Sequence, residues 1–97
     1  MKHYDWNDEK SKKLKDERGI SFEDIVFYIG KGRVLDDLDH PNKIKYKNQR
    51  ILILEIKQYA YIVPYVQNKE EMFFKTIIPS RKATQKYLKG VDKDEIG

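Results

Sequence analysis

The sequence predicts an α+β fold with two N-terminal helices, a small and mostly antiparallel sheet of three to four strands, and one C-terminal helix. Three observations carry this reading. Phe22, Ile25, Val26 and Ile29 recur at helical spacing. Apolar runs at 50–56, 59–66 and 72–78 are broken by short polar stretches at 57–58 and 68–71, the pattern of consecutive strands. The last run stops at Pro79-Ser80, and a basic stretch follows. Helices first and strands afterwards place the helices together on one face of an antiparallel sheet, leaving the other face open.

Each element has a local cause. Asn7 or Asp8 caps a first helix whose interior (Lys10, Lys12, Lys13, Leu14, Lys15) is mostly polar, so it covers the surface with Trp6 and Leu14 as its apolar contacts. Gly19 supplies a left-handed stop, and Ser21 with Asp24 makes an approximate capping box for the second helix. Gly30 and Gly32 end that helix. A short strand around Val34 and Leu35 then enters an Asp/His-rich turn over 36–42. Residues 50–56 read as a central strand, and Lys57-Gln58 closes a hairpin into 59–66, where Tyr59, Tyr61, Val63 and Tyr65 share a face. Pro64 has no amide to donate and belongs at a bulge or on an unpaired side. In the last strand Phe73, Lys75 and Ile77 alternate against Met72, Phe74, Thr76 and Ile78. Ser80 caps a helix through Arg81, Lys86 and Lys89, which brings Lys75 and Arg81 near one another, and residues 90–97 read as a frayed tail.

The totals narrow the function classes. At 97 residues the chain forms a single domain over 1–97 with one modest core. It has no cysteine, which excludes disulfides, iron–sulfur clusters and thiolate zinc sites. No apolar run approaches the roughly 20 residues of a membrane helix and the first residues are polar, so no membrane partner and a cytoplasmic location are expected. The net charge of +4 is uneven: residues 43–89 hold 11 Lys/Arg against 3 Glu, net +8, and the remainder holds 9 against 13, net −4. A basic half of this kind attracts phosphates or an acidic partner.

There is no Gly-rich phosphate loop, no HExxH helix and no Ser/His/Asp constellation. The Asp36-Asp37-Leu38-Asp39-His40 stretch is a solvated acidic turn before it is a metal site, and no metal or other cofactor is expected. Candidates come from the sheet and its last helix. Tyr59, Tyr61 and Tyr87 suit base stacking, and Arg50, Lys57 and Lys82 suit phosphate contacts, as in proteins that bind RNA. Cleavage of RNA by its own 2′-hydroxyl needs a base, an acid and positive charge on the developing phosphorane. Without a well-placed histidine, Arg81, Lys75, Glu55 and Tyr65 are the groups that can share those roles.

Three signatures in order along residues 4–87 resemble the BrnT toxins of bacterial type II toxin–antitoxin pairs, within the wider RelE/ParE-like group. They are Tyr4-Asp5-Trp6-Asn7 with Lys10 and then Gly19-Ile20-Ser21-Phe22-Glu23-Asp24, the Asp36 to His40 stretch, and Ile77-Ile78-Pro79-Ser80-Arg81-Lys82-Ala83. The resemblance implies a ribonuclease toxin with a RelE-like sheet, neutralised by a cognate, BrnA-like antitoxin that also binds DNA, and it places the family's motif arginine on Arg81. This chain departs from the family pattern at Leu14, at Glu17-Arg18 in place of Lys-His, at Thr76 and at Pro79. The expected function is therefore a metal-independent endoribonuclease. The alternative is a member of the group that binds gyrase or another protein target, or one that only binds its antitoxin.

Overall fold

The computed structural model describes residues 3–89, and the tail expected over 90–97 lies outside them. The chain order is β1 (His3–Asp5), α1 (Asp8–Arg18), α2 (Phe22–Gly30), β2 (Val34–Asp39), β3 (Gln49–Ile56), β4 (Tyr59–Gln67), β5 (Glu71–Phe74), β6 (Ile78–Pro79) and α3 (Arg81–Thr84), which continues as a π-helical turn over Gln85–Lys89. One mixed sheet runs β1-β5-β4-β3-β2, with β6 also paired to β4. All pairings are antiparallel except β1 with β5. The α+β class holds, but the sheet has six strands where three to four were expected.

The extra strands have identifiable origins. His3–Asp5 is three residues long, too short for an alternation to stand out, and it is held by pairing Tyr4 with Met72 and by stacking Tyr4 and Trp6 on Phe74, at ring distances of 5.6 and 6.1 Å. The run expected as one last strand is two. Pro64 is the reason: β5 pairs with Tyr65 to Gln67 and β6 with Tyr61 and Ile62, so the break between them falls at the proline. The Lys75 amide donates to the Pro64 carbonyl at 2.8 Å, which puts the backbone position that lacks a donor on that interrupted side. The break also changes the parity of the run. Phe74 and Ile77, expected on opposite faces, are both fully buried in the same core.

That core lies between the sheet and α1–α2. Leu14, Phe22 and Ile25 of the helices meet Leu52, Leu54, Ile56, Val63, Tyr65 and Phe74 of the strands. The helix ends follow the sequence closely. Asn7 Oδ1 accepts the Lys10 amide at 2.9 Å, Gly19 takes φ 77°, and Ser21 and Asp24 close a full capping box. The helices do not all share a face, however. α3 packs on the opposite side, where Ala83, Tyr87 and Leu88 cover Ile53, Ala60 and Ile62. The Ala60 amide donates to Thr84 Oγ1 and the Ser80 amide to the Ala60 carbonyl, which pins α3 across the face expected to stay open.

The β3–β4 turn has the expected position and an unexpected conformation. Lys57 and Gln58 sit at φ 54° and 69°, and they are the two non-glycine residues with positive φ among the described residues. A two-residue hairpin needs left-handed backbone to match the strand twist, and Asn-Gly supplies it cheaply. Holding ordinary side chains there costs roughly 1 kcal/mol per residue.

Candidate functional site

The acidic stretch 36–39, expected in a turn, lies in β2, with the turn starting at His40. Strand pairing overrides the poor β-propensity of aspartate because Asp37 and Asp39 find partners across the sheet and Asp36 finds one on the C-terminal helical segment. Arg50 sits opposite Asp39 on one side and Tyr65 on the other. Its Nε lies 3.1 Å from Asp37 Oδ1 and donates to the Tyr65 hydroxyl at 3.2 Å, one terminal nitrogen pairs with Asp39, and the other donates to the Asp37 carbonyl at 3.0 Å. The Tyr65 hydroxyl donates to Asp37 at 2.8 Å. Burial and the Asp37 hydrogen bond push the Tyr65 phenol up to about 12, against the lowering pull of Arg50. The Tyr65 hydrogen bond, together with Asp37, raises the Arg50 guanidinium above its usual value. Asp36 points to the other face and accepts from the Tyr87 hydroxyl at 2.6 Å. His40 packs against Tyr46 with the rings tilted, centroids 4.3 Å apart, and its Nδ1 accepts the Asn42 amide. The described residues contain no group of three or more potential metal ligands.

These facts redistribute the residues singled out in the sequence. Arg50 and Tyr87 are engaged by β2 carboxylates. Tyr65 is 1% exposed and belongs to the core. Tyr59 and Tyr61, with rings 5.8 Å apart, are half-buried on the α1–α2 side. Lys75 lines a shallow cleft with Asn7, Lys10 and Lys13 beside α1, whereas Arg81 and Lys82 are exposed at the start of α3, on the other side of the sheet. Glu55 lies in a further cleft, and neither cleft includes Arg81 or Tyr65.

Lys57 and Tyr61 share a pocket at the β3–β4 hairpin end, and Lys57 also borders the cleft that holds Glu55, whose strand position pairs with Ala60 on the face opposite Tyr61. The pocket, of about 260 Å³, is lined by Lys15, Arg18, Asp24, Tyr28, Lys57 and Tyr61. The adjoining cleft, of about 280 Å³, shares Tyr28 and Lys57 and adds Arg33 and Glu55. Lys15 is held by Asp24 at 2.9 Å, and Arg33 faces Glu55 at 3.9 Å. Arg18 and Lys57 form no ion pair among the described residues, so the paired groove keeps two free cations next to two phenols. Burial pushes the Asp24 carboxyl up, but the Ser21 amide, the Lys15 ammonium and the Ser21 hydroxyl outweigh it and leave the carboxyl below its usual value. Asp24 therefore stays ionised, paired with Lys15 in the wall of the same pocket. Tyr28 and Arg18 line the groove without having been expected from the sequence, Arg18 standing where the resembled family carries histidine. The position of Arg18 directly before the helix-ending Gly19 is the signal that places it at the end of α1.

The described residues include no helix long and apolar enough to cross a membrane. Set against known proteins, the chain matches no family model, no curated protein and no solved structure.

Proposed function

We propose that this protein is the toxin of a type II toxin–antitoxin pair, a cytoplasmic, metal-independent endoribonuclease restrained by a cognate antitoxin. The observation that supports it best is the groove at the hairpin end, where Arg18 and Lys57 stand without acidic partners beside the half-buried rings of Tyr28 and Tyr61. Cations hold phosphates and phenol rings offer a stacking surface for a base, which is the pairing that RNA recognition uses. In this reading Arg18 holds the scissile phosphodiester and stabilises the charge that grows on it, with Lys57 at the rim of the same groove. Glu55, the carboxylate of the adjoining cleft, takes the proton of the attacking 2′-hydroxyl. A phenol of Tyr28 or Tyr61 returns a proton to the departing 5′-oxygen, leaving a 2′,3′-cyclic phosphate. Arg81, the residue matching the family motif, lies outside this groove and serves as a phosphate contact further along the strand.

The experiment is incubation of purified protein with total RNA in the presence of EDTA, followed by end-group analysis of the fragments. Cleavage with cyclic-phosphate ends is expected. Glu55→Gln and Arg18→Ala should each lower the rate by about 100-fold or more while the circular dichroism spectrum stays that of the parent. Intact RNA together with inhibited gyrase would move the reading to the protein-binding alternative.

A further inference from the structure

We infer that Lys57 is a phosphate subsite for single-stranded RNA, and that the left-handed turn it makes with Gln58 is kept in a conformation unfavourable for its sequence because that conformation holds the Lys57 ammonium at the mouth of the groove. The inference rests on the reading above and adds which part of the substrate the hairpin tip grips and in which form. Three observations meet at this position. Lys57 borders both clefts, so a chain passing from one to the other crosses its side chain. Its charge has no partner among the described residues, whereas Lys15 and Arg33 in the same clefts each face a carboxylate. Both turn residues hold positive φ with ordinary side chains, a choice that disfavours folding when Asn-Gly would serve the hairpin better.

The dimensions select a single strand. Pockets of about 260 and 280 Å³ lie below the usual range for a whole drug-sized ligand, and each suits about one nucleotide unit. The rings of Tyr28 and Tyr61 are half-buried, so only a base free of its complement can reach their faces.

The test uses the full chain and a fluorescein-labelled oligoribonucleotide methylated on every 2′-oxygen, which binds without being cut. The double variant Lys57→Asn/Gln58→Gly should melt about 5 °C higher, because its residues favour the turn. It should also bind the oligonucleotide about tenfold more weakly, with the slope of log affinity against log salt smaller by about 0.7, the share of one phosphate contact in a single strand. Gln58→Gly alone should melt higher and bind as the parent does. Affinity and salt slope unchanged in the double variant would overturn the subsite, and so would a duplex of the same sequence binding as tightly as the single strand. The two readings fail separately. Lys57-dependent binding without any cleavage of natural RNA upholds the subsite and removes the nuclease, while cleavage that persists undiminished in the double variant removes the subsite and leaves the nuclease.

Discussion

Tyr65 illustrates how far a residue's neighbours decide its role. Read along the strand it is one of four alternating positions on a phenolic face, but its ring is buried and its hydroxyl is shared between Asp37 and Arg50. Tyr65→Phe removes those hydrogen bonds and should cost about 1 kcal/mol, seen as a drop of about 5 °C in thermal unfolding. The pH dependence has a definite sign. Its folded value, about 12, lies above the ordinary 10, so the unfolded phenol ionises first. The contribution is whole below pH 10 and is lost as pH climbs from 10 toward 12. Ultraviolet titration of the phenols should show the last-ionising component vanish in Tyr65→Phe, with a shallower alkaline loss of stability. Asp24 behaves in the opposite sense. Its carboxyl is held below the usual value, so its contribution is present above about pH 4 and is lost as pH falls through the lowered value. Asp24→Asn should therefore melt below the parent at pH 6, and the two curves should converge as the pH falls below the ordinary carboxylate range.

The elements show where local rules suffice. Helix starts at Asn7, Ser21 and Ser80 and the stop at Gly19 follow from side chains within three residues, and each is found where the sequence places it. Strand ends at the hairpin were likewise legible, since a polar pair between two apolar runs has few alternatives. The last strand was not. Its division into β5 and β6 depends on Pro64, a residue on the neighbouring strand, and no pattern within 72–78 records that. Phe74 is the keystone of this region, stacking on Tyr4, Trp6 and Phe22 at 5.6 to 6.1 Å. Phe74→Ala should cost about 4 kcal/mol by urea denaturation, and it should free β1 first, seen as faster amide exchange at Tyr4 and Asp5.

For the molecule as a whole, charge and topology act together. The basic half of the chain is divided between two sides of one sheet: Lys57 lies at the hairpin end with Arg18, and Arg81 and Lys82 lie at the start of α3. If RNA follows the groove first, Arg18→Ala should weaken binding more than Lys82→Ala does, by about tenfold against about twofold in fluorescence polarisation at fixed salt. Equal losses would place the main contact on α3 instead.

What the sequence determined alone was whatever depends on near neighbours: the α+β order, the helix caps, the hairpin position and the excess of positive charge in residues 43–89. Only the tertiary structure decided which cations remain free. Arg50 and Arg18 look alike in the sequence, yet β2 delivers two carboxylates to Arg50, whereas the end of α1 brings Arg18 beside Lys57 with no acid assigned to either. An ion pair is settled by distances in space between residues far apart in the chain, and a Coulomb interaction falls off too quickly for sequence spacing to report it.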